Sequence, residues 1–272
     1  TACRTTTGGA CNAQQIYDFM SFDPETVNSY EVGYKGTLAD GRLRLALTGF
    51  YADYKDVQVP GSAGYDSNGD GVNDTFIGIT TNAGKARMKG IEFETFARLA
   101  PDFAGSGSDL NLTAAIGYID GKYLQFINAL GVDVAQYRHI QNTPEFTASA
   151  TLAAVVPVGT GELNASTGIS YRSKTHQFEF ENPFLDQDGY ALWDASVTWK
   201  IDDHFSFGVH GKNLSDVRYK TSGYWFGAVD PTTGLPLYTS TGSIISALGK
   251  EGVVTAFYGN PRQIFATVGI KF

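Results

Sequence analysis

Gln263-Ile264-Phe265-Ala266-Thr267-Val268-Gly269-Ile270-Lys271-Phe272 alternates without a break. Ile264, Ala266, Val268, Ile270 and Phe272 fall on one face, and Phe265, Thr267, Gly269 and Lys271 on the other. A period of two predicts a strand with two unlike faces. The stretch runs to the aromatic Phe272 with no tail or turn after it. That ending suits a barrel strand whose apolar face meets lipid and whose rim carries aromatics.

The same alternation recurs through the chain. Tyr30, Val32, Tyr34 and Leu38 mark a first strand after an irregular segment, residues 1–25. Ala39-Asp40-Gly41 predicts a tight hairpin, with Asp-Gly supplying positive φ angles. The return strand, residues 42–59, sets Leu43, Leu45, Leu47 and Tyr51 against Arg44, Thr48 and Asp53. A loop is expected over residues 61–75, then a third strand through Met88 to Leu99 with Ile91 and Phe93 facing away from Glu92 and Glu94. Leu110 to Tyr118 marks the fourth strand, and residues 127–143 a second long loop. Phe146 to Val156 marks the fifth strand, Leu163 to Tyr171 the sixth, and residues 179–188 a third long loop. Ala191 to Ile201 marks the seventh strand and Phe205 to Val209 the eighth. Residues 221–259 form the longest loop before the ninth strand closes the chain.

Short turns follow the odd-numbered strands and long loops the even ones, the asymmetry expected of short periplasmic turns and long external loops. Charged residues are only 18% of the 272, while aromatics are 13% and glycines number 32. A net charge of −8 argues against a nucleic-acid partner. No apolar run approaches the roughly 18 residues of a transmembrane helix, so a membrane could be crossed only by strands. A soluble sandwich would alternate too, with its apolar face packed inward. Three features favour lipid instead: strands longer than usual, second faces rich in charges and hydroxyls as in a wet lumen, and aromatics near strand ends. Tyr51, Tyr118, Tyr171, Tyr190, Trp199, Phe205 and Phe272 are the expected girdle residues. The fold class is therefore all-β, a transmembrane antiparallel barrel. Nine strands are an odd count for a bacterial barrel. With no Met start or signal segment at Thr1, the missing strands are expected upstream.

Five segments, in order, carry a family resemblance. Pro24-Glu25 with Tyr30-Glu31-Val32-Gly33-Tyr34-Lys35 is similar to the first strand of TonB-dependent outer-membrane receptors. Gly49-Phe50-Tyr51 with Tyr54-Lys55-Asp56, and Asn82-Ala83-Gly84-Lys85-Ala86 with Lys89-Gly90-Ile91-Glu92, resemble the strands that follow. Gly211-Lys212-Asn213-Leu214-Ser215-Asp216 with Arg218-Tyr219, and Tyr258-Gly259-Asn260-Pro261-Arg262 with the final Phe272, resemble the family's closing motifs. The resemblance implies that residues 1–272 are the C-terminal portion of a barrel of about 22 strands, residues 1–26 being an external loop. The family's plug and TonB box find no counterpart in these motifs. What it implies for function is active uptake of a scarce, bulky ligand: a ferric siderophore first, with haem, cobalamin or carbohydrate as alternatives. Its partners would be TonB, ExbB and ExbD, the lipid bilayer, and the barrel-assembly machinery, for which Phe272 would be the signal. A passive porin is the rival reading.

The motifs themselves are architectural, so candidate sites rest on other residues. Asp66, Asn68, Asp70, Val72 and Asp74, around Gly71, match the start of a calcium loop, with Ile77 where a bidentate Glu would stand. An Asx-rich turn is the plainer alternative. Tyr224, Trp225 and Phe226 could stack on a ligand, or pack the loop. Arg172, His176 and Phe178 make a similar case. Cys3 and Cys11 enclose a Gly/Thr-rich loop and, in an oxidising compartment, would form a disulfide; free thiols are the alternative. No Gly-x-Ser-x-Gly elbow or metal spacing accompanies His139, His176, His204 and His210, so no enzyme is expected.

Overall fold

A computed structural model describes residues 21–65, 75–128, 131–230, 232–245 and 254–272. One antiparallel sheet of nine strands organises it, in the order β1-β2-β3-β4-β5-β6-β7-β8-β11. The strands are β1 (Thr26–Leu38), β2 (Leu43–Tyr65), β3 (Thr75–Pro101), β4 (Asp109–Phe126), β5 (Phe146–Val158), β6 (Gly161–Arg172), β7 (Tyr190–Lys200), β8 (Phe205–Lys212) and β11 (Gln263–Ile270). Every neighbour in the sheet is also a neighbour in the chain, apart from the step from β8 to β11. The sheet is open, as expected of part of a barrel.

Register decides which face is which. Val32, Gly49, Ile91 and Tyr118 sit side by side across four strands, as do Leu47, Phe93, Ile116 and Ala148 lower down. Ala150, Ile169 and Trp193 continue the band, then Val197, Val209 and Ala266. Among the described residues no element packs on it. In strands with a neighbour on both sides, Ile91 is 55% exposed, Ile169 54% and Val197 47%. In a sandwich these side chains would be covered by a second sheet; left bare in a continuous band, they require lipid. The opposite face carries Glu92, Thr151, Ser166, Asp194, Ser196 and His210, the wet side. Ion pairs cross it, Lys200 to Glu162 at 3.1 Å and Lys212 to Asp194 at 3.0 Å, and Arg98 pairs with Asp109.

Four expectations need correction. Asp53 shares the outward face with Tyr51, whose hydroxyl donates to it at 3.1 Å, because both are odd-numbered along one unbroken strand. Tyr190 pairs with Arg172 on the inner face and stacks on Tyr219 at 4.6 Å, so it is not a girdle residue. β2 and β3 run beyond Val59 and start before Met88: Val57–Tyr65 pair with Thr75–Gly84 past the ends of their neighbours, as a two-stranded arm. The long closing segment is not all loop. It holds a ribbon of β9 (Lys220–Trp225) and β10 (Val254–Tyr258).

Turn chemistry follows the backbone. Ala39, Asp40 and Gly41 all have positive φ (54°, 53° and 88°), so the left-handed turn extends one residue before Asp-Gly. Asn213 (φ 48°) and Asp216 (φ 54°) mark a second such site, where β8 leaves the sheet. Asn213 is buried and donates from Nδ2 to the carbonyls of Val217 (2.9 Å) and Asn260 (3.1 Å), while its Oδ1 accepts from Val217 N. Asp216 Oδ1 accepts from Arg262 N at 3.0 Å. The Asn-Leu-Ser-Asp motif thus ties the exit of β8 to the approach of β11. Asn and Asp suit these posts because they tolerate left-handed φ and bond locally.

Candidate functional site

Most of the buried residues gather at the end of the sheet where the long loops lie. Val59, Ala83 and Phe126, from β2, β3 and the end of β4, close around Val134 of the loop 127–145. That loop contains one 3-10 turn, Ala135–Tyr137. Asp133 Oδ1 accepts from Phe126 N (3.0 Å) and Ala135 N (3.1 Å), and these bonds hold its carboxyl below the usual range. The loop folds over the inner face: a Cβ on Gly121, an inner-face position of β4, would lie 3.4 Å from Ile140.

Loop 173–189 closes onto it. His139 and His176 stack at 3.9 Å with their rings 10° from parallel. The backbone joins too, His139 N donating to Glu179 O at 2.7 Å and Asn142 N to His176 O at 2.9 Å. Gln141 Nε2 donates to Glu179 Oε2 at 3.0 Å. His176 Nδ1 meets Asp186 Oδ2 at 2.8 Å, and Lys174 lies 3.8 Å from the same oxygen. Burial, then the neighbouring His176 ring, holds the His139 pKa below the ordinary histidine value. A cavity of about 230 Å³ opens beside the pair, between Ile119, Thr143, Glu145 and Lys174.

The third loop locks the other two. Arg138 lies over the Phe126 ring, 5.3 Å from its centroid, and donates from Nη1 to Thr233 O at 2.7 Å. Gly234 (φ 76°) has no room for a Cβ, which would lie 2.8 Å from both Arg138 Nη1 and Phe180 Cβ. Lys220 Nζ donates to the carbonyls of Phe184 (2.9 Å) and Asp186 (2.6 Å). One face of the β9–β10 ribbon packs on the fully buried Leu185, whose side chain is 2.6 Å from where a Gly223 Cβ would sit.

Strand alternation splits the three aromatics singled out in sequence. Trp225 shares the packed face with Gly223 and stacks on Phe184 at 6.1 Å. Tyr224 stacks on Phe226 at 6.0 Å and meets Phe257 edge-on at 5.8 Å, on the ribbon's other, exposed face. Phe257 is the member sequence reasoning missed; it lies far along the chain, and only the ribbon pairing brings it to Tyr224. Phe178 stacks on Phe180 at 5.4 Å. Arg172 reaches Asn142 O at 3.5 Å and so acts as a strut between loops. His210 bonds Ser196 and Thr267 on the inner wall, and His204 meets Lys271 O in a turn, both ordinary polar positions. Phe272 is fully exposed. Cys3, Cys11, Asp66, Asn68, Asp70, Val72 and Asp74 lie outside the described residues. Among the described residues no group of His, Cys, Asp and Glu is arranged to hold a metal.

Comparison with known proteins agrees with this architecture. The family model "TonB dependent receptor-like, beta-barrel" matches residues 5–214. The ferric-pyoverdine M114 receptor of Pseudomonas sp. (strain M114) is 29% identical over 265 residues, covering 96% of this chain and 26% of the relative. The pesticin receptor of Yersinia enterocolitica is 26% identical over 213 residues, 78% of this chain and 27% of that protein. The chain thus spans about a quarter of the length of the curated relatives it matches. The crystal structure of the ferric yersiniabactin uptake receptor of Yersinia pestis superposes with a TM-score of 0.63 at 21% identity, over 92% of this chain and 30% of that one. The chain belongs to the TonB-dependent receptor β-barrel family, whose members reside in the outer membrane of Gram-negative bacteria.

Proposed function

We propose that this chain forms part of an outer-membrane receptor that takes up a ferric siderophore with energy supplied through TonB. The observation that carries the reading is the loop assembly. Three loops at one end of the sheet are bonded to one another, loop 127–145 folds over the inner face, and the β9–β10 ribbon exposes Tyr224, Phe226 and Phe257 on the face turned away from the packed loops. Exposed aromatic faces suit stacking on a bulky planar chelate. The names of the relatives, receptors for ferric pyoverdine and uptake of ferric yersiniabactin, lend support to a siderophore over a sugar or cobalamin. TonB, ExbB and ExbD would act on parts of the receptor beyond this chain, and the barrel-assembly machinery would insert it. The Asp66–Asp74 segment would add a calcium ion to the external arm.

The test is ligand binding by the full-length receptor in detergent. Ferric hydroxamate, catecholate and mixed-donor chelates would be titrated while tryptophan fluorescence is read, with the iron-free chelates, cyanocobalamin and maltose as controls. Saturable quenching by a ferric chelate alone supports the reading. Saturation only by cobalamin or a sugar would replace the siderophore with that ligand.

A further inference from the structure

The outward face of the sheet is almost free of charge. In β1, β5, β6, β7, β8 and β11 its positions hold no Lys, Arg, Asp or Glu at all. The exception is one patch at the loop end of β2, β3 and β4. Three consecutive rows read Tyr51, Lys89, Asp120; then Asp53, Arg87, Lys122; then Lys55, Lys85, Gln125. Five cations and two anions therefore share this face, in a protein whose overall charge is −8.

Two cations are matched internally. Arg87 pairs with Asp53 at 2.8 Å and Lys89 with Asp120 at 3.1 Å. Lys55, Lys85 and Lys122 are exposed and have no ion pair among the described residues. Lys55 stands directly opposite Lys85, and Lys122 directly opposite Arg87. Like charges opposed across a ladder destabilise it unless an anion lies between them. With strands ~4.8 Å apart and rows ~6.8 Å apart, the patch measures roughly 10 by 14 Å, the size of a lipid headgroup.

What lies beneath the patch says which anion. The next row down is Val32, Gly49, Ile91 and Tyr118, the start of the bare apolar band. Gly49 leaves a depression of about 580 Å³ there, walled by Tyr30, Tyr51 and Tyr118. A soluble anion would use the cations alone. A lipid would use both, with phosphate among the lysines and an acyl chain against the depression.

We propose that this face binds a phosphorylated lipid of the surface leaflet, its phosphate held by Lys55, Lys85 and Lys122 and its chain lying in the depression at Gly49. The proposal goes beyond the transport reading and needs only the barrel's placement in the membrane. It is tested on the delipidated full-length receptor in detergent, by native mass spectrometry with diphosphorylated lipid A and with the same lipid stripped of both phosphates. The expected result is selective retention of the phosphorylated lipid. The triple variant Lys55→Gln, Lys85→Gln, Lys122→Gln should weaken it at least about tenfold, and the matching Lys→Arg triple should keep it. Heat-modifiable gel mobility checks that each variant is folded. Equal retention of both lipids, equal binding by the Gln triple, or displacement of the phosphorylated lipid by millimolar inorganic phosphate would overturn the proposal. Loss of ferric-chelate binding with lipid retention intact would sink the transport reading and leave this one standing.

Discussion

The ring of His139 lies 3.9 Å from the ring of His176, nearly parallel to it, and this contact closes loop 127–145 onto loop 173–189. Lys174, Glu181 and Asp186 also face the pair. Burial and the neighbouring ring depress the His139 pKa, so the fold favours its neutral form. A depressed histidine binds fewer protons folded than unfolded, so stability rises with pH across the window below the ordinary value. The closure is therefore complete above about pH 6.5 and weakens as pH falls below it. Hydrogen exchange of the two loops at about pH 7.5 and about pH 5, corrected for the intrinsic pH dependence of amide exchange, should show lower protection factors at the lower value. His139→Gln should flatten that dependence. Identical protection at both pH values in the native protein would refute the assignment.

Asn213 makes a sharper stability prediction. Asn213→Ala removes its side-chain bonds to Val217 and Asn260 and puts alanine at a left-handed φ. About 2–4 kcal/mol should be lost, read as a lower urea midpoint for the full-length protein in lipid vesicles. A shift within error would mean that the Asn-Leu-Ser-Asp motif does not tie β8 to β11.

The two faces should respond oppositely to charge. Ile169 sits mid-strand in the bare band, beside Ala150 and Trp193. Ile169→Lys should cost about 2–4 kcal/mol in the bilayer. Thr113→Lys, on the inner face, should cost close to nothing. Equal costs would show that the band does not meet lipid.

Phe272 is fully exposed just past β11, at the open edge of the sheet, and we propose it as the signal for barrel assembly. Its deletion should lower surface levels of the receptor several-fold while leaving ligand affinity in the inserted fraction unchanged. Normal surface levels would remove it as an assembly signal.

The nine-stranded sheet was legible because each strand writes its own period of two, a local signal. The charge of Asp53 suggests the inner face, but its odd position shares the outward face with Tyr51. Above the hydrocarbon the outward face turns polar, and parity along Leu47, Tyr51 and Asp53 outranks residue type. Tyr190 was misplaced for a related reason, its position near a strand end saying nothing about its side. The β9–β10 ribbon escaped notice because Lys220–Trp225 is short and its partner lies about thirty residues away in sequence. The loop assembly was illegible for the same cause. His139 with His176, Arg138 with Thr233 and Tyr224 with Phe257 are contacts across long separations, set by where the strands deliver each loop.

TonB-driven uptake of a ferric siderophore through the barrel that contains this chain is the proposed activity. Radioiron accumulation from the chelate that the purified receptor binds, in cells with and without the receptor and with and without TonB, tests it most directly. Uptake that needs both is the predicted result. Uptake that needs the receptor but persists without TonB would contradict the account and mark the barrel as a passive channel.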